Sequence, residues 1–117
     1  MHKYKKNMKR LNAGDIPWTN AHNEVPRKAL IKVGDMKTKV QTMNDAKLDP
    51  EKSFEPHTHP DCEEIYYFLS GKGEMNVAGE EFIVKEGDCI LVEMHESHGL
   101  KNIGNEILRF ITIRILI

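Results

Sequence analysis

The sequence predicts an all-β domain, an antiparallel sandwich or barrel, and three observations carry that reading. Short runs rich in branched and aromatic side chains recur along the chain at roughly 8- to 12-residue intervals. Turn-forming residues separate them, as in DPEKS (49–53), Ala78-Gly79 and Glu86-Gly87-Asp88. No window carries the 3.6-residue apolar period of a long amphipathic helix. In order, GDIPW (14–18) reads as a turn. KALIKVG (28–34) and KTKVQTM (37–43) read as strands parted at Gly34, and a further strand leads from the DPEKS turn to His57. Then follow EIYYFLSG (64–71), GEMNVAG (73–79) with a tight hairpin at Ala78-Gly79, EEFIVKEGD (80–88), CILVE (89–93), HGLKNIG (98–104) and ILRFITIRILI (107–117).

Size and charge narrow the function classes. A chain of 117 residues is one domain and buries about two-thirds of its unfolded surface, enough for one core and no second catalytic domain. With 17 basic and 18 acidic residues it has no field to draw in nucleic acid or an anionic membrane, so neither is an expected partner. The basic residues that do cluster, HKYKKNMKR (2–10), read as a solvated terminus. The predicted organisation is a flexible basic tail over 1–12 and a single barrel domain over 13–117. No stretch reaches the roughly 18 apolar residues of a membrane span, and no apolar run follows the basic start as a signal peptide requires. A cytoplasmic location is therefore expected, with Cys62 and Cys89 as reduced thiols.

The stretch EPHTHPDCEEIYYFLSG (55–71) carries the chemistry. In an extended segment residues i and i+2 point the same way, so His57 and His59 project together. Glu64, Tyr66 and Phe68 share one face of the next strand, and Glu63, Ile65, Tyr67 and Leu69 the other. If Glu64 faces inward with the histidines, an imidazole pair meets a carboxylate, a donor set suited to zinc, iron, nickel, copper or manganese. His98, in MHESHGLKN, starts a later strand and is the candidate third imidazole. Each of these alone has a plainer reading: a surface histidine pair, a solvated acid, a loop-lining histidine. Their order and spacing favour the joint one.

That order resembles the cupin family. Its first motif, G-x5-H-x-H-x3-4-E-x6-G, is matched by His57, His59, Glu64 and Gly71, with Glu51 at the leading glycine position. Its second motif, G-x5-P-x-G-x2-H-x3-N, is matched by Gly87, His98 and Asn102, with Glu93 and His95 in place of the proline and glycine. The resemblance spans roughly residues 46–113. It implies a double-stranded β-helix, or jelly-roll barrel, in which His57, His59, Glu64 and His98 hold one divalent metal ion.

Three neutral imidazoles and one carboxylate leave a divalent ion with one formal positive charge and room for a small, anionic oxygen donor. An enzyme of dioxygenase, isomerase, decarboxylase or lyase type is the expected function. The alternative is a barrel that only binds a sugar or small effector. Tyr66, on the Glu64 face, is a candidate hydrogen-bond donor or general acid, or else a core residue. His95 is a turn residue or an additional acid, base or ligand at the cavity mouth. Cys62, in the loop between His59 and Glu64, approaches the metal or is a buried or loop thiol, Cys89 is structural, and Asn102 bonds a ligand or a neighbouring side chain. The last strand is apolar on both faces, with Ile107, Ile111, Ile113, Ile115 and Ile117 on one and Leu108, Phe110 and Leu116 on the other. One-sided antiparallel sheets are polar outside. A homodimer is the expected cover, with Trp18 and Ile16 folding back as the rival.

Overall fold

Among the described residues the alternation resolves into ten strands. The computed structural model describes residues 8–20 and 25–117. One 3-10 turn, Ala13–Asp15, is capped by Asn12, whose side chain accepts from the Gly14 N–H at 2.7 Å. The strands are β1 (Thr19–Asn20), β2 (Pro26–Ile31), β3 (Val40–Leu48), β4 (Ser53–His57), β5 (Cys62–Ser70), β6 (Lys72–Val77), β7 (Glu80–Lys85), β8 (Cys89–Val92), β9 (His98–Asn102) and β10 (Leu108–Leu116). They form two antiparallel sheets, ordered β1-β2-β3-β10-β5-β8 and β4-β9-β6-β7. No α-helix occurs among the described residues, and no helix there is long and apolar enough to cross a membrane. Most of the basic run at 2–10 lies outside the described residues.

Turn chemistry places the elements. Ala78 and Gly79 have φ of 52° and 84°, the paired left-handed geometry of a two-residue hairpin between Val77 and Glu80. Asp35 and Asp88 each accept from a backbone N–H three residues earlier, from Lys32 at 2.9 Å and Lys85 at 2.8 Å. The first of these turns ends β2 at Ile31, so Lys32, Val33 and Gly34 belong to the turn rather than to the strand expected there. The next strand also shifts: β3 runs over Val40–Leu48 rather than 37–43. Its polar second half, Asn44, Asp45 and Lys47, is extended because β2 and β10 pair with it on both sides.

The core lies between the sheets. Phe68, Phe110, Leu108, Met75 and Val84 are fully buried, with Phe68 and Phe110 rings 5.6 Å apart. The faces of β5 divide as the alternation requires: Tyr66 and Phe68 go inside, Tyr67 and Leu69 outside. Gly73 is needed by packing, since a Cβ there would meet Leu108 Cδ2 at 2.8 Å. Outside, Trp18 lies beneath three cations, with Lys28 and Lys47 Nζ each 4.7 Å and Arg109 Cζ 5.2 Å from its ring. Arg109 also makes a two-pronged ion pair with Asp45, at 2.8 and 2.7 Å. The N-terminal segment thus covers the Arg109 end of β10, while Ile111, Ile113 and Ile115 stay partly exposed.

Candidate metal centre

Four side chains converge at one end of the barrel. His57 closes β4, His59 follows in the loop, Glu64 is on the inner face of β5, and His98 opens β9 directly opposite His57. One donor atom from each lies within 4.8 Å of the others. His98 is 1% exposed and the Glu64 carboxylate 12% exposed. The imidazole rings of His57 and His98 are 4.5 Å apart, and those of His57 and His59 are 4.8 Å apart.

The hydrogen bonds assign protons to these rings. A carbonyl oxygen only accepts, so His57 Nδ1 donates to Glu55 O at 3.2 Å and His98 Nδ1 donates to Glu96 O at 3.0 Å. His98 Nε2 lies 3.1 Å from Glu64 Oε1, so a positive centre, a proton or a metal ion, belongs between nitrogen and carboxylate. His59 differs. Arg114 Nη2 donates to its Nδ1 at 3.2 Å, so its proton sits on Nε2, 3.0 Å from the same Glu64 Oε1. That proton occupies the place a metal would take, and the donor set fits a divalent ion once it leaves.

Electrostatics favour the ligating forms. Burial lowers the His59 pKa, with Glu64 opposing and Arg114 assisting, so the ring stays neutral below its ordinary range. Burial by itself would raise the Glu64 carboxyl, but the His98 hydrogen bond and the charges of His98, His59 and Arg114 hold it below the usual value. Burial lifts the Tyr66 phenol well above its usual value, so it is a donor throughout the physiological range. Burial also raises the Cys62 thiol, against the hydrogen bond it accepts from Arg114 Nε at 3.2 Å.

Beside the cluster is a cavity of about 60 Å³, lined by His57, His59, Glu64, Tyr66, Arg27 and Arg114 among others. Two of its walls are hidden in the sequence. Arg114 lies on the inner face of β10 with Leu108, Phe110 and Thr112, a placement that two-residue alternation contains but that an otherwise apolar run conceals. Arg27 precedes the segment that reads as a strand, because Pro26 obscures where β2 begins.

Other expected positions resolve differently. His95 is exposed and does not line the cavity; its backbone N–H donates to His59 O at 3.0 Å. Asn102 is buried and binds no cavity group. Its amide donates to Leu48 O and Glu106 O, and its oxygen accepts from the Gly104 N–H, so it ties two loops together. Cys62 is the buried first residue of β5 rather than a loop residue, and Cys89 is exposed on the outer face. Both are free thiols.

Comparison with known proteins agrees with this geometry. The cupin domain family matches residues 44–114. The chain belongs to the cupin family. An oxalate-binding protein of Thermotoga maritima is 34% identical over 94 residues, covering 80% of this cupin and 78% of the relative. An uncharacterised protein of Methanocaldococcus jannaschii is 44% identical over 55 residues, 47% of this cupin and 44% of that protein. Among solved structures, one described as a predicted oxalate decarboxylase of Thermotoga maritima superposes with a TM-score of 0.87 at 30% identity, covering 93% of this cupin and all of that chain. The jelly-roll barrel is therefore that of a double-stranded β-helix. Where the family motifs have glycine, this cupin has Glu51 at φ 71° and His95 at φ 70°, while Gly71 and Gly87 are both at φ 90°. The left-handed backbone persists at all four positions even where the side chain does not favour it.

Proposed function

We propose that this cupin binds one divalent metal ion (Fe, Mn, Zn, Ni or Cu) through His57, His59, Glu64 and His98, and acts as an enzyme on a small carboxylate bound beside it. The observation that carries the reading is the convergence of one donor atom each from His57, His59, Glu64 and His98 within 4.8 Å of one another, with His98 oriented by Glu96 O. Two relatives described by oxalate support a carboxylate ligand. Of the reaction types open to such a site, decarboxylation is the first to test.

A bound divalent ion supplies positive charge for an anionic oxygen and lowers the energy of charge developing on it. The rest belongs to the chain. Glu96 and Glu55 carbonyls orient His98 and His57, and Arg114 orients His59. Tyr66, held protonated by burial, offers a hydrogen bond or a proton to a ligand oxygen. Phe54 and Phe110 exclude water from one side of the cavity. His95 is proposed to shape the turn rather than to touch the ligand. A second reading, binding without turnover, is favoured by the oxalate-binding relative.

The apolar outer face of the six-stranded sheet supports a homodimer in which two copies bury it against each other.

Elemental analysis of protein purified without chelator, paired with His59→Ala, tests the metal. Near-stoichiometric metal in the parent and its loss in the folded variant are expected. Absence of metal in both, with no uptake on reconstitution, overturns the reading. Incubation of loaded protein with oxalate then separates the two functions, since carbon dioxide release marks the enzyme and saturable binding without release marks the alternative.

A further inference from the structure

Arg27 projects from β2 onto the cavity wall. Its strand neighbour there is Ala46, a small buried residue that leaves space for the long side chain. Among the described residues the Arg27 guanidinium has no hydrogen-bond or ion-pair partner. A half-buried guanidinium carries five donors in a rigid fork that matches a carboxylate, and such a group is costly to leave bare. The other cavity arginine is already committed, since Arg114 bonds Cys62 and His59.

Sheet order separates Arg27 from the metal cluster. Glu64 lies on β5, and β10 and β3 intervene before β2. The two positive poles are thus three strand spacings apart along the sheet, roughly 14 Å at about 4.8 Å each, a gap narrowed by barrel curvature and by the length of the arginine. The cavity of about 60 Å³ holds about four water-sized groups. A ligand that touches both poles is therefore short and carries an anion at each end.

On the reading that the cluster holds a metal and a carboxylate, we propose that Arg27 binds the far carboxylate of a short dicarboxylate whose near carboxylate meets the metal. Arg27 is then the residue that selects dianions over monoanions. Ala46 leaves it room, and Tyr66, lining the same wall, donates to the ligand between the two poles.

Calorimetric titration of the manganese-loaded chain with oxalate, malonate and formate tests this, using Arg27→Gln and Arg27→Lys. Arg27→Gln is expected to weaken oxalate binding about 10- to 100-fold, the loss of a charged two-pronged hydrogen bond. Formate binding should change less than about threefold, because it reaches only the metal, and metal content should not change. Arg27→Lys should restore part of the oxalate affinity, since it keeps the charge without the fork. Equal oxalate affinity in parent and Arg27→Gln, with metal and formate binding intact, overturns the role of Arg27 and leaves the carboxylate reading standing. A parent that loads metal but binds none of the three anions overturns both, and a parent that takes up no metal removes the foundation of both.

Discussion

The two sheets turn opposite characters to the outside. Across the outer face of the six-stranded sheet one register row reads Ile31, Met43, Ile113, Ile65 and Leu91. The corresponding kind of row on the four-stranded sheet reads Ser53, Lys101, Glu74 and Ile83. Leu91 is 55% and Tyr67, one row away, 43% exposed. Inside, both sheets feed the site: the six-stranded sheet carries Glu64, Tyr66, Thr112, Arg114 and Arg27 into the cavity, and the four-stranded sheet brings His57 and His98 to the cluster beside an otherwise apolar inner face of Phe54, Leu100, Met75 and Val84. The sheet with the apolar back thus also carries the carboxylate, the phenol and both arginines of the cavity. An antiparallel sheet needs only one face packed on its own core, so on the proposed reading the apolar second face serves self-association and the charged first face serves ligand binding.

The sharpest way to break this contrast is to delete one inner aromatic. Phe110→Ala should cost about 3–5 kcal/mol of unfolding free energy by denaturant titration, because its ring is fully buried against Phe68 and Tyr66. Its outward neighbour Ile111 should respond through assembly instead. Placing a charge in the middle of the apolar row comes next. Ile113→Asp should weaken self-association at least about 100-fold, seen as a halved mass in light scattering, since an unpaired carboxylate would be buried between the copies. Glu74→Lys on the other sheet should leave the mass unchanged.

Acidity tests the inner site. The folded His59 pKa lies below 6.5, so on acidification the unfolded chain takes up this proton first. In metal-free protein, stability should therefore fall as pH drops from about 6.5 to the folded pKa and then level off, and His59→Gln should flatten that step. Glu64 contributes a second decline below about pH 4.5, because its folded pKa is lowered and its contribution vanishes as it is protonated. Urea midpoints measured across pH check both. Asp45→Asn should cost about 1 kcal/mol, since it breaks a two-pronged pair whose arginine is partly in water. The smallest effect has the opposite sign. His95→Gly should stabilise by about 0.5–1 kcal/mol by relieving a left-handed histidine, with metal content unaltered; a loss of turnover in that variant would return His95 to the chemistry.

Much of this molecule is legible in its sequence. The two-residue period places His57 with His59 and Glu64 with Tyr66, and both groupings hold in the folded chain. It also contains the inward Arg114, which stays hidden because charge is ordinarily assigned to the outside of a strand. Arg27 is hidden for a different reason: its strand begins at a proline, and half of the strand it pairs with is polar.

What the sequence alone determines here is local. Alternation within a strand, glycine or its stand-ins at left-handed turns, and the spacing of His57, His59 and Glu64 are properties of a few neighbouring residues, written in backbone sterics. The tertiary structure decided everything that depends on register between distant strands. Pairing of β4 with β9 set His98 across from His57, and pairing of β5 with β10 set Arg114 beside Glu64. From there Arg114 reaches His59 and moves that ring's proton to the side facing Glu64. Register is chosen by the sum of all cross-strand contacts at once, so no single segment carries it.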